Sequence, residues 1–244
     1  MRLMTLIIAM LIFSACHNNT NDNNNNKDNT KEFFITQDSQ KPSLTIENRN
    51  EEMYKLFFSI GSEISSLSNI PEIEKDAVIV NGKSISKKDI EIEKIQIKYS
   101  ESNITLKERI TVLIKNMVLT SEANRLKIEP SQKDIASYMD NIKISIEHDN
   151  GQISGYINGT GITIEEFILT NEKMAYNMYQ RRELWKSVKS KKINKQIQKE
   201  AEDREISFDV VDKEYYEKYA EELMSKANIQ ILDEELKIMF ANGF

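Results

Sequence analysis

The chain has 244 residues, 39% of them hydrophobic and 30% charged, a length and balance that suit one large or two ordinary domains of a folded protein. Its 33 Lys and Arg face 39 Asp and Glu, a net charge of −6, so the chain as a whole carries no basic field for phosphates and nucleic acid is not an expected partner. With 7 Gly, 3 Pro, one Cys and two His, the composition excludes a collagen-like or Gly-rich scaffold, an internal disulfide and a His-rich metal site, and no cofactor is expected.

At the amino end, Arg2 is followed by an apolar stretch from Leu3 to Phe13, broken only by Thr5, and then by Ser14, Ala15 and Cys16. A basic start, a short greasy run and small residues are the marks of a secretory signal, here residues 1–15, and the run is shorter than the roughly 20 residues that span a bilayer. The order Phe13-Ser14-Ala15-Cys16 resembles a bacterial lipobox, with Phe13 where that motif usually has Leu. The resemblance implies a diacylglyceryl group on Cys16 and an address on the extracytoplasmic face of a bacterial cell membrane. Two acyl chains, at about 0.8 kcal/mol per buried methylene, form a stable anchor. The acidic balance argues against a further electrostatic grip on anionic lipid.

Residues 16–50, rich in Asn, contain little that could offset the entropy of ordering a backbone and read as a tether. Apolar side chains then recur at helical spacing from Met53 to Leu67, which predicts an amphipathic helix over 51–70 ending at Asn69, Ile70 and Pro71. This spacing leaves open whether that helix packs on the rest of the chain or on a neighbour. From Asp76 to Ser86 a β-branched run meets Asn81-Gly82, which predicts a small hairpin or an extended arm. Four oxygen-bearing residues each precede an acid by three positions: Ser86 with Asp89, Thr105 with Glu108, Ser131 with Asp134 and Thr163 with Glu166. Each pair marks a helix start. Gly151, Gly155, Gly159 and Gly161 crowd the link before the last of these helices and predict a mobile loop. Beyond Val188, the segment through Glu205 reads as a solvated helix or a linker; Ile206, Phe208, Val210 and Val211 suggest a short extended piece, Tyr215 to Met224 a helix, and 227–232 a strand.

The fold class expected is therefore mainly α with a small β hairpin. Within it, DAVIVNGKSISKKDIE, the segment from Ile104 to Ile142 and GITIEEFILTNEKMAYNMYQRRELWKSV resemble, in order and spacing, the N-terminal domain of the SurA and PrsA group of extracytoplasmic chaperones. The resemblance covers residues 76–192, about half of the chain. It implies a helical chaperone module followed, over 193–244, by a bridge and a tail that returns to it. The parvulin-type prolyl isomerase domain common in that group is missing from this reading, since the bridge is too short for a domain and contains neither His nor Cys.

The function this implies is a membrane-anchored holding chaperone that binds unfolded or exported polypeptides in an apolar groove, without catalysis. Candidate groove residues are Met139, Met174, Met178 and Tyr179, with Tyr176 and Trp185, because Met and aromatic side chains adapt to varied partners; an apolar stripe at helical spacing is also what a core looks like. Arg181 and Arg182 read as the solvated side of their helix. A structural or assembly lipoprotein that holds one envelope partner is the alternative from a different class, and a degenerate prolyl isomerase is a third.

Overall fold

The computed structural model of the chain describes residues 46–243, so the expected signal, the lipidation residue Cys16 and nearly all of the tether lie outside the described residues. What is described is mainly helical. Helix α1 (Ile46–Ser66) runs into a 3₁₀ turn (Leu67–Asn69), followed by strands β1 (Asp76–Val80) and β2 (Lys83–Ser86). Helices α2 (Lys87–Tyr99), α3 (Leu106–Arg125), α4 (Gln132–Glu147), α5 (Gln152–Thr160) and α6 (Ile164–Val188) come next. Helices α7 (Lys191–Asp203) and α8 (Phe208–Lys226), strand β3 (Ile229–Ile231) and helix α9 (Glu234–Met239) complete the chain.

All four cap pairs start helices. At Ser86, Thr105 and Thr163 the cap hydroxyl accepts from the N–H three residues on, and the carboxylate there accepts from the cap's own N–H. Ser131 also caps its helix, but Asp134 has turned away to pair with Arg182. The Asn81-Gly82 turn has positive φ at both residues, 49° and 79°, which Asn and Gly tolerate and which joins β1 tightly to β2.

Strand β1 is the middle of an antiparallel sheet in the order β2-β1-β3. Val78 and Val80 pair with Ile231 and Ile229 of the far end of the chain. Asn81 and Asn228 lock that register through the Asn81 N–H to the Asn228 carbonyl at 2.9 Å and the Asn228 N–H to Asn81 Oδ1 at 3.0 Å. Leu236 and Phe240 of the terminal segment then pack with Val78, Ile85, Ile110 and Ile114, so the tail completes the core cluster beneath the sheet.

The second core cluster gathers α1, α2, α4, α5 and the first half of α6, through residues such as Ile64, Ile95, Ile142, Tyr156 and Phe167. The helix expected over 51–70 begins earlier, at Ile46, and is part of this interior. Its dock is the segment expected as a mobile loop, which is instead helix α5. The carboxylate of Asp149 accepts from the N–H groups of Ile153 and Ser154, both at 2.9 Å, and starts the helix despite its glycines. The glycines are there for contact. A Cβ on Gly155 would stand 2.5 Å from the Tyr54 carbonyl oxygen, and one on Gly159 only 2.3 Å from that of Phe58, while Gly61 of α1 offers equal room to Tyr156 and Thr160. The two helices run in the same direction with their backbones touching.

The end of the chain differs from expectation in one more place. Residues 208–211 are helical rather than extended: the Ser207 hydroxyl accepts from the Val210 N–H and opens α8, with Val211 buried and Val210 exposed. The segment after Val188 is the helix α7 rather than a linker, and α7 and α8 pack on each other and on the second half of α6 through Trp185, Ile197, Ala201 and Val211.

Replacing an exposed helical Gly with Ala ordinarily stabilises by about 1 kcal/mol. Gly159→Ala should do the reverse and lower the urea-unfolding free energy by about 2–3 kcal/mol, because the methyl group meets backbone that cannot yield. Leu236→Ala should cost about 2–4 kcal/mol in the same measurement, showing that the tail belongs to the cooperative unit.

Candidate functional site

The residues expected to line a groove are brought together only in part. Met139 and Met174 are buried in the cluster around α1, α4 and α6, against Ile135, Phe167 and Ala175. Tyr176, Met178 and Tyr179 are half-buried and pack on that cluster from outside. Tyr179 meets Tyr138 edge to face at 6.4 Å, and the Arg182 guanidinium lies 4.8 Å over its ring. The Tyr176 hydroxyl donates to Glu129 at 2.5 Å.

Trp185 belongs to a different cluster altogether. Its indole N–H donates to both carboxylate oxygens of Asp212 at 3.2 Å, and its ring lies between Tyr216 and Tyr219 at 5.8 and 5.9 Å. Lys189 closes the arrangement with an ion pair to Asp212 at 2.9 Å. Trp185 is the pin between α6 and α8, since burial of an indole demands a partner for its N–H.

Met139, Met174 and Trp185 are thus largely interior and offer little surface to a polypeptide arriving from solvent. Arg181 corrects a second expectation: it is half-buried, donating to the Thr120 hydroxyl at 3.3 Å, and burial lowers its pKa. Only Arg182 faces solvent. The exposed large apolar side chains, among them Phe58, Ile144, Leu169 and Ile238, are spread over separate elements. Single apolar side chains on a surface are ordinary.

Two polar features had no counterpart in the sequence reading. The first is interior. Glu93 of α2 is 2% exposed and lies 3.7 Å from Arg109 of α3, while Arg109 also donates to Gln96 at 3.2 Å. Asp89, one turn earlier on α2, adds negative charge to the same face. Burial pushes the Glu93 carboxyl up to about 7, more than Arg109 pulls it down, and burial raises Asp89 as well. The pair sits where the core under the sheet meets the core around α1, since neighbouring Ile90 serves the first and Ile92 the second.

The second is external. Lys191, Lys192, Lys195 and Lys199 of α7 are all exposed, and no carboxylate pairs with any of them among the described residues. Their signal was legible as a run of six Lys and no acid from Lys186 to Lys199, which the acidic total conceals.

Among the described residues, no group of three His, Cys, Asp or Glu is placed to hold a metal ion, and no helix is long and apolar enough to cross a membrane. His148 ends α4 and Glu166 caps α6, so each has a structural part. Comparisons with family models, with curated proteins and with solved structures returned no match.

The folded Glu93 carboxyl holds its proton more tightly than the unfolded one, whose ordinary value is 4.5, so this group's contribution is fullest at acidic pH and is lost as pH rises through about 7. The unfolding free energy should fall by on the order of 1–3 kcal/mol from pH 5 to pH 8 for this reason. Glu93→Gln has no such proton to lose, and its stability profile over that interval should be markedly flatter; equal slopes in the two proteins would assign the pH dependence elsewhere.

Proposed function

We propose that the chain is a lipid-moored, extracytoplasmic polypeptide-binding protein of the SurA and PrsA kind, acting by contact and without chemistry. The observation that carries this reading is the return of the tail. Strand β3 and helix α9 pack on β1 and α3, after a two-helix excursion, α7 and α8, in the position where the group commonly inserts its isomerase. The excursion holds neither His nor Cys. Further support comes from the aromatic and Met side chains on the outer edge of α6, where Tyr176, Met178 and Tyr179 remain half-exposed.

The closed interior bears on how such a protein would hold a client. An apolar groove stabilises a bound segment by about 25 cal/mol for each Å² removed from water, and Met139, Met174 and Trp185, more than nine-tenths buried, contribute little accessible area. Binding falls to the rim formed by Tyr176, Met178 and Tyr179. This same burial favours the second reading, an assembly lipoprotein that holds one folded partner through a fixed surface rather than many unfolded ones through an adaptable trough.

A chain beginning at His17 retains every described residue and serves for the test. On the chaperone reading, a few-fold molar excess should slow aggregation of two unrelated denatured proteins, as followed by light scattering, and Tyr176→Ala with Tyr179→Ala should weaken the effect several-fold. Unchanged scattering together with one stoichiometric envelope partner would transfer the assignment to the assembly lipoprotein. Accelerated proline isomerisation in a short peptide would instead mark the chain as an enzyme.

A further inference from the structure

The lysines of α7 form a single face. At 100° per residue, Lys191, Lys192, Lys195 and Lys199 fall within an arc of about 100°, directly opposite Ile193, Ile197 and Ala201, which pack toward α6 and α8. Lys191 and Lys192 occupy the first turn, which contains no acidic residue, where the helix dipole disfavours positive charge. Lys191, Lys195 and Lys199 follow one another at four-residue steps, a spacing at which like charges repel. Elsewhere in the described residues the cations are mostly matched: Lys94 with Glu91 and Glu235, Lys115 with Glu217, Arg204 with Glu200 and Glu214. Four of the cations that no carboxylate pairs with among the described residues stand together on this one face, with Glu202 in the same arc at its far end, while others such as Lys83 and Lys133 stand singly elsewhere.

We infer that this face of α7 docks side-on against an anionic phospholipid surface. Charge complementarity selects the partner's sign. The choice of a bilayer over another polyanion comes from reach, and it rests on the proposed mooring at Cys16. Twenty-nine residues lie between Cys16 and the start of α1 at Ile46, a contour of about 100 Å when extended. Helix α6, which runs from the cluster containing α1 to the one containing α7, is 25 residues, or about 37 Å. The tether is therefore long enough to let the α7 end of the molecule lie on the membrane that holds the anchor. A moored protein meets that surface continuously, so a weak electrostatic contact suffices to set its orientation. The buried face of α7 is committed to the core, and the contact is one of lysine ammonium groups with phosphate rather than insertion of an amphipathic helix.

The chain from His17, which carries no lipid, is mixed with vesicles of phosphatidylcholine containing about one-third phosphatidylglycerol, and bound protein is measured by co-sedimentation. Partitioning should be clear at low salt, absent on pure phosphatidylcholine, and should fall steeply as salt increases. Each lysine near such a surface contributes roughly a fivefold factor, so Lys192→Gln with Lys195→Gln should weaken binding about 25-fold. Lys83→Gln with Lys133→Gln, two isolated lysines, should leave it unchanged, and circular dichroism should report intact helices in both variants. Absence of binding at low salt, equal binding to neutral vesicles, or equal binding by the two variants overturns the inference. Capture of polyglutamate without capture of vesicles does so too, by assigning the face to an acidic polypeptide. The mooring is read separately, by acyl labelling of the full precursor and of its Cys16→Ala variant, so failure of one leaves the other decided on its own data.

Discussion

The backbone contact between α1 and α5 is the constraint on which the larger half of the structure depends. Gly151, Gly155 and Gly159 recur every fourth residue and face the carbonyl oxygens of Asn50, Tyr54 and Phe58, which recur at the same interval. Two parallel helices with matched ladders can approach until Cα–H groups touch carbonyl oxygens, a weak interaction singly but one repeated at every turn. The approach also fixes rotation about both axes. It places Phe57, Ile60 and Ile64 over Ile153 and Tyr156, and α2, α4 and α6 close around them. Without it the amino-terminal helix would have no seat.

Helix α6 unites the rest because its buried face changes along its length. Near its start Phe167, Met174 and Ala175 point into the cluster built on α1. Further on, Leu184 packs with Leu119, Ala123 and Ala220, and Trp185 with Ile197 and Val211. Gln180 marks the change: it is buried, and its amide donates to Asn124 and to the Ile128 carbonyl, both at 2.9 Å, fixing α6 against the end of α3. Such a beam couples the α7 and α8 pair to the body far more firmly than a linker would, so whatever α7 contacts is felt as an orientation of the whole molecule.

The elements legible in the sequence are those whose signals are local. A hydroxyl three residues before an acid opened four helices, and Asn81-Gly82 gave the hairpin, because both devices act within a single turn. What failed was decided by distant partners. The glycines of α5 read as a breaker because the sequence does not reveal that Tyr54 and Phe58 lie against them, and 206–211 read as a short extended piece because it does not reveal that Val211 is buried with Trp185 and Ile197 on one face of a helix. The candidate groove suffered in the same way: a Met or Trp at helical spacing is apolar whether it faces a core or a client, and only the packing of α4 and α8 decides for Met139, Met174 and Trp185. The lysine face was written in the chain, but averaging over the full length hid it.

The sheet shows how the first hairpin and the end of the described chain restrain each other. A three-stranded sheet with an edge only three residues long offers little template for a foreign strand, yet β1, at its centre, is wholly apolar after Asp76. Were β3 to leave, β1 would present an open edge and the cluster beneath would lose Leu236 and Phe240 together. The tail therefore acts as a closure rather than an ornament. It joins the first strand to the last segment across the full span of the fold, while Lys87 pairs with Asp233 at 3.5 Å and Lys94 with Glu235 at 2.8 Å to hold the terminal helix on α2. Exposed pairs of this kind contribute little each; the apolar contacts of Leu236 and Phe240 supply most of the closure, and the ion pairs select its register.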